Sequence, residues 1–248
     1  MRIPRIFVPA SLLPGVEFEL PDQAHRHLAQ VLKLSQGHQL HLFNGQGGEY
    51  AAEIVASSRR QTIVKILSHL VIDRETSIVI TLAQCVSKGP RMDFVMQKAT
   101  ELGVSVIQPV ISKQGAVKLD AQRMQKKQSH WQGVVHSACE QSGRNVIPEV
   151  RAVLNFEAFL QNLPKVDICL FLDPLADKGF SELPVEPPSA VLLIIGPEGG
   201  FATQEIEQLK MAGFQGLKMG PRVLRTETAA LVALSACQLR WGDLSNSL

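Results

Sequence analysis

Leu192-Leu193-Ile194-Ile195-Gly196-Pro197-Glu198-Gly199-Gly200-Phe201 carries an apolar run straight into a glycine loop, and a helical pattern begins at Thr203. The periodicity predicts a buried strand, a loop and then a helix over Thr203–Ala212, with Thr203 as N-cap and Ile206 and Leu209 on its inner face. Glycines at 196, 199 and 200 permit positive φ and close approach of backbone to a ligand. A phosphate fits this loop poorly: no Gly-Lys-Ser/Thr follows, and Glu198 would face it with like charge. The spacing points instead to a nucleoside-like ligand, with a bare strand-to-helix turn as the alternative.

A second strand-loop-helix has the same form: Met219-Gly220-Pro221-Arg222-Val223-Leu224-Arg225-Thr226-Glu227-Thr228-Ala229-Ala230. Thr226 is the expected cap of a helix over Thr226–Trp241, and Glu227 sits where the helix dipole favours negative charge. Capping alone would explain both residues. Arg225 stands just before the cap, in a site-facing position.

Outward from these loops, Ser77–Val86, Val104–Val110, Asp167–Leu172, Ala190–Ile195 and Leu217–Met219 read as strands, alternating with helices over Met92–Leu102, Ala121–Glu140 and the two already named. That alternation predicts an α/β domain with a parallel sheet covered on both faces, whose ligands bind beyond the carboxyl ends of the strands. Both loops end strands of one sheet, so they are expected to converge. Lys88 and Arg91 crowd the loop before the helix at Met92, where side chains and helix-terminus amides suit phosphate. Glu140-Gln141-Ser142-Gly143-Arg144 closes the long helix and presents Arg144 outward, either to a ligand or to the helix's own carbonyls.

Residues 1–72 have another texture. Gln39–Phe43, Glu49–Val55 and Thr62–Leu67 are short strand-like runs separated by turn clusters, with one helix expected over Pro21–Leu32. This predicts a small barrel, followed by a polar hinge at residues 73–76 and a second domain over 73–248. Charge divides similarly: residues 1–151 hold 18 Lys and Arg against 12 Asp and Glu, and residues 152–248 hold 7 against 11. A basic N-terminal part suits a polyanion, with Arg2, Arg5, Arg26 and Lys33 as candidate phosphate contacts and His27 beside them.

Hydrophobic residues make up 45% and charged residues 19% of the 248, the balance of an ordinary folded protein rather than a disordered one. No signal-peptide pattern follows Met1, and the apolar run Ala190–Ile195 falls far short of a membrane span of about 20 residues, so a cytoplasmic location is expected. The four cysteines form no C-x-x-C pair, and metal-ligand spacing is absent, which leaves buried reduced thiols as the expectation.

Taken together, Gly196–Phe201, Leu224–Ala229, Lys88–Gly103, Glu140–Arg144 and the stretch His27-Leu28…Val31-Leu32 resemble the trefoil-knotted, SPOUT-type methyltransferases. Within these the chain is most similar to the 16S ribosomal RNA uridine N3-methyltransferase family, the RsmE type, over nearly its whole length. Small departures are the turn Gly220-Pro221-Arg222 and Lys33, where arginine would be commoner. The resemblance implies an N-terminal PUA-like RNA-binding barrel, a C-terminal knotted domain, and a homodimer formed through the knotted domains. It implies S-adenosylmethionine (SAM) as cofactor, no metal, and 16S ribosomal RNA or the small subunit as partner. The cofactor would lie against Gly196, Pro197, Glu198, Gly200, Gly220, Thr226 and Thr228, walled by Leu172, Ile195, Met219 and Leu224. Arg225 is then the candidate cation that stabilises a uridine anion, with Glu198 and Glu227 as candidate bases. Lys88, Arg91 and Arg144 would hold RNA phosphate, Arg144 reaching the partner subunit's site. Two other readings stay open: the same fold acting on another RNA, such as a tRNA ribose or base, and a non-catalytic RNA-binding assembly protein.

Overall fold

The computed structural model describes residues 3–115 and 121–245. Arg2 lies outside the described residues. The chain divides into two compact units, Met1–Glu75 with His136–Ile147, and Thr76–Val135 with Pro148–Leu248. The last two turns or so of the long helix, from His136 to Ser142, thus belong to the first unit.

In the first unit five strands form one sheet: β1 (Arg5–Phe7), β2 (Glu17–Glu19), β3 (Gln39–Phe43), β4 (Glu49–Ser57) and β5 (Thr62–Leu70). Their order is β1-β3-β4-β5-β2. β1 pairs with β3 in parallel and the other pairs are antiparallel, so the sheet is mixed, and β1 and β2 are its open edges. The expected barrel is therefore not closed by hydrogen bonds. Alternation puts Leu40, Leu42, Ala52, Ile54, Val64 and Ile66 on one face, over which Leu28 and Ala24 pack. The helix expected over Pro21–Leu32 is α1 (Asp22–Arg26), which loosens into a π turn over His27–Val31. Lys33 follows with φ 53, a left-handed conformation unusual for a residue with a side chain.

Two carboxylates, Glu49 and Glu75, centre the ion pairs that fix this unit. Glu49 is 2% exposed and meets Arg5, His41 (Nδ1, 3.0 Å) and Arg74 (3.5 Å). Arg144, a 7% exposed side chain, donates from Nε to Glu75 at 2.9 Å. A buried charge is tolerated only where partners replace its lost hydration, and these carboxylates supply them.

The second unit has the predicted parallel sheet. Its strands are β6 (Val79–Cys85), β7 (Val106–Ile111), β8 (Glu149–Val150), β9 (Leu154–Asn155), β10 (Ile168–Leu172), β11 (Ala190–Ile195) and β12 (Gln215–Leu217). The main path is β12-β10-β11-β6-β7-β8, with β9 on β7, and every pairing is parallel. The helices are α2 (Arg91–Glu101), α3 (Ala121–Ser142), α4 (Phe156–Gln161), α5 (Thr203–Met211) and α6 (Thr226–Trp241). Near-continuous apolar runs suit strands covered on both faces, and Val191 to Ile195 are all buried. α6 buries Ala230, Ala233, Leu234 and Cys237 fully; small side chains let it pack close. Two cap expectations fail. Ala202, not Thr203, precedes the first turn of α5, and Arg225, not Thr226, precedes that of α6. At α6 a tertiary hydrogen bond to the Gly196 carbonyl claims the Thr226 hydroxyl that local sequence offers as a cap, and at α5 the Ala202 N–H is met by the Glu205 carboxylate.

Candidate active site

β12, β10 and β11 are neighbours and parallel, so their carboxyl ends open side by side. Beyond them lies a cavity of about 600 Å³, within the range of small-molecule sites. Its apolar wall comes from Leu172 after β10, Ile195 at the end of β11, and Met219 and Leu224 after β12. Gly196, Pro197, Glu198 and Gly200 line it from the first glycine loop, Gly220 and Thr226 from the second. Thr228 does not line it. Gly200 and Gly220 have φ of 73° and 75°, and a Cβ on either would meet nothing within 4 Å. Their missing side chains leave open space rather than packed neighbours, which is how a backbone cradle for a ligand is built. The convergence expected of the two segments is thus present.

One hydrogen bond joins the two loops directly. Thr226 Oγ1 donates to the Gly196 carbonyl at 2.6 Å, and accepts from Gln84 Nε2 at 2.9 Å. Thr226 is 4% exposed and Gln84 fully buried. Gln84 was not anticipated, although an amide side chain in the mostly apolar run Val79–Cys85 is a signal. Glu205 was also missed. Its carboxylate is fully buried and accepts from the backbone N–H of Lys113 (2.8 Å) and of Ala202 (2.9 Å). It therefore fastens the segment after β7 to the end of the glycine loop.

Charge gathers at the mouth. Arg91 pairs with Glu198 and stands 3.8 Å from Glu227 Oε1. Burial works to raise the Glu198 pKa, but hydrogen bonds from its own backbone, from Arg91 and from the Lys88 backbone outweigh it and hold the carboxyl below its usual value. Glu227 is less exposed, and its Oε2 is buried without a hydrogen-bond partner among the described residues. Arg225 lines the cavity, exposed, and makes no ion pair among the described residues. An unengaged guanidinium beside a ligand cavity can stabilise developing negative charge.

Family comparison agrees with this geometry. Residues 74–238 match the family model for an RNA methyltransferase domain, and residues 20–67 that for an RNA methyltransferase PUA domain. Ribosomal RNA small subunit methyltransferase E of Buchnera aphidicola (from Schizaphis graminum) is 34% identical, the match covering 98% of this chain and 99% of that one. The chain belongs to the ribosomal RNA small subunit methyltransferase E family. The Bacillus subtilis member is 31% identical over 88% of each chain. Among solved structures, a Legionella pneumophila protein described as a methyltransferase with bound SAM superposes with a TM-score of 0.95. It is 45% identical, over 98% of this chain and all of that one. The Neisseria gonorrhoeae family member, solved with S-adenosyl methionine, gives 0.91 at 38% identity over 98% and 100%.

For a family of RNA methyltransferases, the expected phosphate contacts are differently disposed. Arg91 stands in the cavity, and Lys88 is exposed beside it. Arg26 and His27 are exposed in the first unit. Arg5 and Arg144 are not offered to solvent: their side chains are 7% exposed and engaged with Glu49 and Glu75. Both arginines are candidate phosphate contacts by sequence, yet the structure uses them to hold the first unit together. Among the described residues no helix is long and apolar enough to cross a membrane.

Proposed function

We propose that this chain methylates N3 of a uridine in 16S ribosomal RNA, with SAM as methyl donor. The observation that carries this is the cavity at the ends of β10, β11 and β12, with its glycine cradle, apolar wall and unengaged Arg225. The residues fit the cofactor: open backbone at Gly200 and Gly220 suits polar groups of a nucleoside and an amino acid, and Leu172, Ile195, Met219 and Leu224 suit the flat face of an adenine. When bound, SAM supplies the methyl group as an electrophile on a sulfonium. The chain's own work is then to position the acceptor and manage its proton, since displacement at carbon depends on alignment.

A uracil N3–H must lose its proton to become a nucleophile. Arg225 stabilises the resulting anion, whose charge spreads over the flanking carbonyl oxygens. Glu227, which lines the cavity from the first turn of α6, takes the proton. Glu198 is poorly suited to be the base: hydrogen bonds from its own backbone N–H and from Arg91 hold it ionised, which lowers its affinity for a proton. Its role is to anchor Arg91. N3 lies on the pairing edge of the base, so the uridine enters the site unpaired.

In this reading residues 1–72 are the PUA-like RNA-binding domain and 73–248 the catalytic one. Arg26, His27 and Lys88 contact RNA, and Arg5 and Arg144 support that surface from within the fold. The insertion of β11 between β10 and β6 supports a trefoil knot in the C-terminal part. Family membership supports a homodimer through that domain, the small ribosomal subunit or its RNA as partner, and a cytoplasmic site of action. Mass spectrometry of ribosomal RNA nucleosides from cells with and without this protein tests the reaction. Disappearance of a single 3-methyluridine from 16S RNA is the expected result, and an unchanged nucleoside profile overturns it.

A further inference from the structure

A second cavity, of about 620 Å³, lies wholly within the first unit and takes no part in the chemistry above. β1, the start of α1 and the last turns of α3 enclose it. Its floor is a ring pair: the imidazole of His136 lies on Phe7 with centroids 4.3 Å apart and planes tilted 39°. Burial lowers the His136 pKa, so the ring is neutral near pH 7 and stacks as an uncharged aromatic. Ile3, Pro9, Pro21 and Leu32 give it apolar walls.

Polar groups converge on the same space. Glu140 is half-buried; its Oε1 accepts from the Phe7 backbone N–H at 3.0 Å, and its second oxygen has no hydrogen-bond partner among the described residues. His27 and Gln23 line the wall, and Ser137 is exposed at it. Arg26 is exposed one residue from His27, and the N-terminal part of the chain carries the net positive charge.

A flat aromatic floor, one carboxylate acceptor and a basic rim are the features that take a splayed-out nucleobase: a π-face to stack, an edge N–H to donate, and a phosphate to pair outside. We propose that this cavity captures an unpaired base of the RNA, a base other than the methylated one, stacking it on His136 and receiving its edge N–H at Glu140. The proposal rests on RNA being the substrate. It adds to generic backbone attraction a contact that reads base rather than charge, and so contributes to choosing where on the RNA the enzyme sits.

The test uses the full chain and two probes of equal length: a mixed-sequence single-stranded RNA, and an abasic ribose-phosphate chain with the same charge. Ser137→Trp fills the cavity from an exposed position, and His136→Ala removes half of the floor. Each is expected to weaken binding of the RNA by about tenfold, as loss of one base stack does, and to leave the abasic chain unchanged. SAM affinity, read on the same variants, reports that the fold is intact. Short-wave ultraviolet crosslinking of the unmodified chain to the RNA is expected to mark residues within 3–9 or 136–141. Unchanged RNA affinity, an equal loss for both probes, or crosslinks confined to other segments would overturn the proposal. None of these readouts needs turnover, so absence of methylation sinks the proposed reaction while leaving this inference to be decided on its own data.

Discussion

Thr226 Oγ1 donates to the carbonyl of Gly196 across 2.6 Å, tying the first turn of α6 to the first residue of the glycine loop after β11. The same oxygen accepts from Gln84 on the central strand β6. Three elements far apart in sequence are thereby fixed around one cavity, and Thr226 and Gln84 are buried where water cannot replace them.

Thr226→Val removes that oxygen while keeping the shape. It takes the Thr226 donor from the Gly196 carbonyl and leaves the buried Gln84 amide with only its bond to the Cys85 carbonyl, and an unsatisfied buried polar group costs roughly 1–3 kcal/mol. We expect a lower melting temperature together with SAM affinity reduced by about tenfold, a loss of about 1.4 kcal/mol. Thr226→Ser keeps the hydroxyl and should retain most of both. Calorimetry and thermal melts of the two variants decide it; a valine variant that binds SAM normally sinks the coupling.

Gly220→Ala probes the cradle. Its φ of 75° lies in the left-handed region, where a side chain costs roughly 1–2 kcal/mol. The added methyl meets open space rather than protein, so a larger residue intrudes on the ligand. Gly220→Leu should therefore weaken SAM binding well beyond Gly220→Ala, with a similar loss of stability in each. Equal binding by both variants would show that the space is not the cofactor's.

Arg225→Ala separates binding from chemistry. No ion pair within the protein depends on this side chain among the described residues, so stability and SAM affinity should change little. Turnover should fall by about a hundredfold or more, the scale of losing one preorganised charge-stabilising donor. Isothermal titration beside single-turnover methylation checks it, and lost SAM binding with the fold preserved refutes the role.

The Arg91–Glu198 pair gives a signed pH dependence. Glu198 in the unfolded chain titrates near its ordinary 4.5, and in the fold it titrates lower. Between those values the unfolded state holds the proton and the folded state does not, so stability rises with pH across that window. The contribution is complete above the ordinary value and is lost as pH falls through the folded one. Arg91→Ala should return the Glu198 pKa upward, measurable by carboxyl NMR titration, and flatten that part of the stability curve.

Thiol chemistry tests the packing. Burial pushes the Cys85, Cys139 and Cys237 thiols up to about 12. Cys169 is raised too but is only partly buried. A disulfide reagent at mild alkaline pH should modify Cys169 first, and all four only after unfolding, since the thiolate must both form and be reached. Fast labelling of Cys85 in the native protein would contradict its place in the sheet.

The sequence by itself determined the parallel domain and the location of its site. Long apolar runs with helical segments between them leave few arrangements other than a sheet covered on both faces, and Gly196–Phe201 and Met219–Ala230 announce backbone-lined loops through residue type alone. Short elements such as β2, β8 and β9 escaped because two or three residues carry no periodicity. What only the tertiary structure decided is how the polar groups are spent. Arg5 and Arg144 look like phosphate contacts in a linear reading, yet Glu49 and Glu75, 44 and 69 residues away, neutralise them inside the fold. Thr226 looks like a helix cap, yet Gly196 and Gln84 claim its hydroxyl. Local sequence fixes which hydrogen-bonding and charged groups a segment offers. Which partner each group meets depends on desolvation and distance between residues remote in the chain, and those exist only once the chain has folded.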